Sequence, residues 1–146
     1  MTAVHWRCVA EPSFSYGAPS GARGEVEVVR RLYEAFARRD LNALVDHVAD
    51  DFELLPTGTA RLVGRATPYV GRAGVKEYFE DASRAWSQLE IRADDIRAVA
   101  GSVVVFGRVT GVPAGTTVPV ERRVLWTWRL RDGRVVFLGV NDLGGA

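Results

Sequence analysis

The chain has 146 residues, 47% of them hydrophobic and 25% charged, with a formal net charge of +1; this suits one globular unit large enough to bury a core. The basic residues are scattered among acids and form no run, which argues against a nucleic acid or an anionic membrane surface as partner, since both need a concentrated basic face. No apolar stretch nears the roughly 20 residues of a membrane span, no apolar leader opens the sequence, and the lone Cys8 has no partner for an intramolecular disulfide, so a cytoplasmic location is expected.

Residues 1–23 read as an irregular N-terminal arm, because AEPSFSYGAPSGARG is rich in Pro, Gly and Ser and shows no period. Its Trp6, Phe14 and Tyr16 are more aromatic than a solvated linker needs, and packing across the domain or a partner is the alternative. Residues 24–146 read as a single domain. Val29, Leu32, Tyr33 and Phe36 recur at i, i+3, i+4, i+7 and predict a first helix, with Glu34 placed to pair with Arg38. Asp40 then caps a second, short helix carrying Leu41, Leu44, Val45 and Val48. A short strand is expected at Phe52–Leu55, stopped by Pro56. Beyond a loop with glycines and Pro68, a third helix sets Val75, Tyr78, Phe79, Ala82 and Trp86 on one stripe, with Glu80 and Arg84 paired outside.

The second half reads as strand throughout. Leu89, Ile91 and Ala93 alternate with Glu90, Arg92 and Asp94, and Val103 to Val112 is a nearly continuous β-branched run. From Val118 to Leu130 the inward set is Val120, Val124, Trp126, Trp128 and Leu130, and Arg122 shares its parity as the one charge pointing inward. Asp132-Gly133 signals a tight turn into Val135–Asp142. Helices first and antiparallel strands afterwards predict an α+β fold, a cone-shaped roll in which a curved, mostly antiparallel sheet wraps three N-terminal helices. Such a cone holds a small molecule, so its inward side chains are the candidate site.

Several motifs carry no chemistry. Gly71 to Lys76 resembles a phosphate loop only faintly, because Glu77 stands where Ser or Thr is required. His5 and His47 have no ligand-like spacing, so no metal site is expected, and His47 reads as a helix-end residue. Cys8 has no neighbouring base, and Asp50-Asp51 reads as the solvated turn between helix and strand.

Four segments in order, VVRRLYEAFARRDLNAL, ADDFEL, PYVGRAGVKEYFED and WTWRLRDGRVV, give the chain from about Val26 to Asp142 a resemblance to the nuclear transport factor 2-like superfamily. Within it the chain is similar to the SnoaL-like, polyketide cyclase-like branch. The resemblance implies a cystatin- or ketosteroid-isomerase-like roll, frequent homodimers and a buried pocket for small, mostly apolar molecules, with no cofactor. It does not imply one activity, because the superfamily includes isomerases, cyclases, dehydratases, epoxide hydrolases and non-enzymes. The acid and base positions of ketosteroid isomerases fall here on Leu55 or Pro56, on Leu32 and on Trp126, none of which moves a proton. Relatives of the SnoaL-like branch often have a histidine where this chain has Trp126. Limonene epoxide hydrolases use two carboxylates bridged by an arginine, of which one carboxylate and one arginine are assignable here.

That pair is Asp142 and Arg122, the candidate catalytic residues; if Leu138 and Val140 face the cavity, alternation puts Asp142 there too. Burial would raise the aspartate's pKa and a nearby Arg122 would lower it. The simpler alternative is a solvated rim for both. Ligand-lining candidates are Tyr33, Leu54, Tyr69, Tyr78, Trp86, Val105, Trp126, Trp128 and Val140, whereas Phe36 and Phe79 read as core. Two functions of different class follow. One is a cofactor-independent cyclase, isomerase or hydrolase of a hydrophobic or polyketide-like molecule, with Asp142 as acid or base and Tyr33 or Tyr78 polarising a carbonyl. The other is a protein that binds or senses such a molecule without chemistry. A homodimer is expected through the outward face carrying Phe137, Gly139, Thr127 and Thr110.

Overall fold

The computed structural model describes residues 5–13, 20–55 and 58–145. Its helices are α1 (Ser20–Ala37), α2 (Leu41–Asp46), α3 (Gly58–Leu62) and α4 (Gly71–Ala85). Its strands are β1 (His5–Ser13), β2 (Val48–Leu54), β3 (Tyr69–Val70), β4 (Trp86–Val99), β5 (Ser102–Pro113), β6 (Val120–Arg131) and β7 (Arg134–Gly145). One sheet runs in the order β1-β4-β5-β6-β7-β2-β3. Pairing is antiparallel except for β1 with β4 and β2 with β7. Register slips in the β4–β5 and β6–β7 pairs mark bulges, which bend and twist the strands that carry them and so curve the sheet. The fold is therefore the α+β cone that the order of helices and strands predicts. No helix among the described residues is long and apolar enough to cross a membrane.

The first helix carries its apolar stripe where the periodicity puts it, whereas Val48, read as part of the second helix, begins β2 because α2 ends at Asp46. On α1, Val29, Leu32 and Tyr33 are buried and Phe36 half-buried. The Asp40 side chain accepts a hydrogen bond from the Ala43 N–H at 3.1 Å, capping α2 and satisfying an orphan donor of its first turn. Asp132 and Gly133 sit at φ 52° and 78°, the left-handed pair of a type I′ turn joining β6 to β7.

Several local expectations are corrected. The supposedly irregular arm contains β1, which pairs from His5 against Gln88 to Ser13 against Asp95. The β4 edge offers unpaired N–H and C=O groups, and satisfying them is a tertiary reward that local periodicity does not register. Phe14, Tyr16 and Pro56 lie outside the described residues. The glycine-bearing loop contains α3, a fourth helix. Asp50 and Asp51 lie within β2 rather than in a turn. Trp86 leaves the α4 stripe at φ −125°, ψ 134° and begins β4. Glu34 pairs with Arg30 rather than Arg38, because Arg30 also reaches Glu27 on the same face. Arg84 takes Asp81 rather than Glu80, drawn by a buried carboxylate that already accepts a hydrogen bond from Tyr69.

Two groups of buried residues make the core. One gathers Val29 and Tyr33 with the sheet residues Ile91, Val103, Val105 and Trp126; the other gathers Leu32 and Leu44 with Phe52, Leu54 and Val135. Tyr78, Phe79, Trp128, Leu130, Leu138 and Val140 pack against both groups yet remain only partly buried. That combination marks a seam where the core does not close.

Candidate functional site

The seam is a cavity of about 110 Å³, lined by α1, α2, α4 and the inner face of the sheet. Every side chain around it is aliphatic or aromatic, and the polar atoms it offers are those of Tyr33, Tyr78, Trp126 and Trp128. Beside it lies a second chamber of about 180 Å³. The two share Tyr78, Ile91, Trp126 and Val140 as a common wall. The second chamber adds Thr59 and Arg61 from α3, Trp86 and Leu89 from β4, and Arg122 and Asp142 from the ends of β6 and β7. Arg122 and Asp142 are 46% and 51% exposed, so this chamber is the outer one.

Two glycines seat the tryptophans. A Cβ on Gly107 would lie 2.8 Å from the Trp126 ring and 1.9 Å from the Arg92 carbonyl oxygen. A Cβ on Gly111 would lie 2.6 Å from the Trp86 ring. Glycine inside a strand is what lets a flat ring lie against backbone, and here it keeps both indoles down on the cone wall. Trp126 and Trp128 meet the Tyr33 ring edge-on at 5.7 and 5.5 Å, and the Trp128 indole N–H donates to the Tyr33 hydroxyl at 3.2 Å. The Trp86 indole N–H donates to Thr59 Oγ1 at 2.9 Å, tying α3 to the sheet. Burial pushes the Tyr78 phenol above its ordinary value, against a smaller lowering influence of Thr59, so it stays protonated at neutral pH.

The predicted pair is formed. Arg122 Nε donates to both oxygens of Asp142, at 3.1 and 2.9 Å, and the Gly144 N–H donates to the same carboxylate at 2.8 Å. These hydrogen bonds, that from Arg122 first, hold the Asp142 pKa below its ordinary value, helped by the charges of Arg122 and Arg61. Desolvation works weakly the other way at this exposed site. Of the two opposing effects anticipated from the sequence, the arginine therefore prevails over burial.

Tyr33, Leu54, Tyr78, Trp126, Trp128 and Val140 line the inner chamber, and Trp86 lines the outer one. Val105 and Tyr69 line neither. Val105 is fully enclosed in the core. Tyr69 is likewise enclosed: its hydroxyl donates to Asp81 Oδ2 at 2.8 Å and Arg65 lies 4.0 Å over its ring. Phe36 and Phe79, expected as pure core, line the inner chamber together with Leu138. Thr59 and Arg61 are contributions the periodicity does not reveal, because α3 is only five residues long. Gly107 and Gly111 do carry a signal, being glycines inside an otherwise apolar strand.

The SnoaL-like domain family matches residues 29–138, and the chain belongs to it. No curated protein is a detectable relative of the sequence. Among solved structures, an NTF2-like protein of unknown function from Burkholderia pseudomallei superposes with a TM-score of 0.72 at 20% identity, covering 82% of this chain and 90% of the other. TerC, co-crystallized with polyporic acid, gives 0.71 at 21% identity over 82% and 91% of the two chains. An epoxide hydrolase of M. tuberculosis, of the LEH-like kind, gives 0.65 at 15% identity over 84% of each. At these identities the likeness establishes the fold alone.

Proposed function

We propose that this protein binds a small molecule whose apolar body occupies the inner chamber and whose polar end lies in the outer one. The observation that carries this reading is the sharp division of lining: among the described residues no charged side chain borders the inner chamber, and Arg61, Arg122 and Asp142 all border the outer. Binding without chemistry is the form the geometry favours. Asp142 is exposed and kept ionised by Arg122, which makes it a weak base, and among the described residues no second carboxylate lines either chamber. A cyclase, isomerase or hydrolase is the second reading, favoured by the Asp142–Arg122 pair opening onto the cavity and by an epoxide hydrolase among the structural neighbours.

The test is intrinsic tryptophan fluorescence against steroids, aromatic polyketides, terpene epoxides and fatty acids, with mass spectrometry of whatever binds. Saturable binding with the ligand recovered unchanged is expected, and Trp126→Ala should weaken it about tenfold through lost contact area. A product would establish the enzyme instead; affinity unaltered by Trp126→Ala would remove Trp126 from the site.

A homodimer belongs to the same proposal. Phe106 is 42% exposed on the outward face of the sheet, where its register partner Leu125 is half-buried, and half-buried Phe137 lies further along the same face opposite Arg129. The Phe106–Leu125 pair, flanked on the same face by Arg108 and Arg123, suits a second copy. Sedimentation at micromolar concentration should give a dimer, and a monomer there would reject it. A cytoplasmic place of action completes the reading, in line with a chain whose only cysteine has no disulfide partner.

A further inference from the structure

Resting on the binding reading above, we infer that the ligand is a small monocarboxylate: a short chain or a single ring bearing one carboxylate, held by Arg61 and Arg122. Two independent observations lead there, one of charge and one of size.

Arg122 carries more donors than its pair with Asp142 uses. Both of its contacts with Asp142 run through Nε, so the two terminal amino groups of the guanidinium stand outside the pair. Arg61, in the last turn of α3, lines the same chamber and acts on Asp142 through its charge without a direct hydrogen bond. Two arginines and one aspartate leave this polar end of the cavity with one positive charge in excess. A guanidinium with free N–H groups beside an apolar cavity recognises a carboxylate better than any neutral oxygen, because the hydrogen bonds are charge-assisted. One carboxylate would neutralise the excess.

Size sets the rest of the molecule. The inner chamber, at about 110 Å³, is smaller than the cavity of about 150 Å³ that accepts benzene. Even joined to the outer chamber of about 180 Å³ it stands at the bottom of the range of roughly 300–1,000 Å³ in which drug-sized ligands bind. Gly107 holds Trp126 against the wall, and the Tyr33 ring backs it, so the shared wall cannot retreat into the core to admit a fused tetracycle. The body that fits the inner chamber is a chain of several carbons, and a single ring fits only where it spans both chambers.

The experiment titrates tryptophan fluorescence with octanoate and octanamide, with 4-phenylbutyrate and its amide, and with cholate as the fused-ring carboxylate. Octanoate or 4-phenylbutyrate should bind at least tenfold more tightly than its amide, and cholate should not saturate. Arg61→Gln and Arg122→Gln should each weaken the carboxylate several-fold more than its amide and so erode the preference between them. Equal affinity for acid and amide would overturn the inference and leave the binding reading standing. Cholate binding as tightly as octanoate would overturn the size argument. Binding of none of these probes, alongside saturable binding of a neutral steroid or epoxide, would overturn the inference alone; binding of nothing in either panel would overturn both.

Discussion

Asp81 and Asp142 are two carboxylates held ionised by arginine, in opposite surroundings. Asp81 is 6% exposed and accepts from the Tyr69 hydroxyl and from Arg84, with Arg65 at 4.0 Å. Burial is the largest influence on it and would raise its pKa, but those hydrogen bonds and positive charges together outweigh it and hold the value down. Asp142 reaches the same direction of shift with little burial to overcome. Asp81 borders neither chamber, whereas Asp142 lines the outer one. A lowered carboxylate pKa therefore does not locate the site in this protein; adjacency to the cavity does. The comparison makes Asp81 a fastening for α4 and Asp142 a group available to a ligand.

The comparison breaks most easily at Asp81. Replacing it by Ala strands the buried Tyr69 hydroxyl and leaves Arg84 and Arg65 without their shared carboxylate, a loss of about 3–4 kcal/mol. Thermal unfolding should register it as a fall of roughly 10 °C. The pH dependence has a definite sign. The folded-state pKa of Asp81 lies below its ordinary 3.8, so its contribution is complete above pH 3.8 and is lost as pH falls through that value toward the folded one. Asp81→Asn should flatten the acid limb of the stability profile below about pH 4. Parallel acid limbs for wild type and variant would assign the acid sensitivity to other carboxylates.

The next largest effect sits on the cavity wall. Gly107→Ala drives a methyl group to within 1.9 Å of the Arg92 carbonyl oxygen as well as into the Trp126 ring, and backbone cannot move aside as a side chain can. A cost of about 2–3 kcal/mol is expected, with a shifted tryptophan emission. At Gly111 the closest obstacle is the Trp86 ring at 2.6 Å and the nearest carbonyl is 3.1 Å away, so Gly111→Ala should cost only about 1–2 kcal/mol. Equal effects at the two positions would mean that the indoles, and not the neighbouring strand, set the limit.

Much of this site is written into alternation along the strands. Trp126 and Trp128 fall inward because they share parity on β6, Leu138 and Val140 because they share it on β7, and Arg122 stands out as the charge on the wrong face. Asp142 follows from the same parity, and its partner lies across the β6–β7 pair. What alternation does not carry is anything decided by a third element. Thr59 and Arg61 sit on a helix too short to have a period; Thr59 matters through the Trp86 indole that donates to it, and Arg61 through the outer chamber it borders. Trp86 fits the α4 stripe and the β4 alternation equally well, and packing on Gly111 decides for the strand. Tyr69 reads as a ligand-lining residue, but a buried acceptor twelve residues later, Asp81, turns it into the core. β1 completes the β4 edge, a pairing that no local period announces.

The smallest effect on stability belongs to Asp142, and it sharpens the comparison most. Its pair with Arg122 is about half exposed, and such pairs contribute from nothing to about 1 kcal/mol. In Asp142→Asn the amide oxygen can still accept from Arg122 Nε and from the Gly144 N–H, so melting should move by no more than about 1 °C. Ligand binding should respond far more than folding. Removing one negative charge from a cluster of two arginines and one aspartate raises its excess from +1 to +2, which should tighten octanoate several-fold at low ionic strength. Since the Debye length shrinks to about 8 Å at 0.15 M salt, the gain should fade as salt is added, while octanamide shows neither the gain nor the fading. A loss of stability on the scale of Asp81→Ala would make Asp142 a fastening too and erase the difference between the two carboxylates. Weaker octanoate binding would show that Asp142 serves the ligand by positioning Arg122, and that this positioning outweighs its charge.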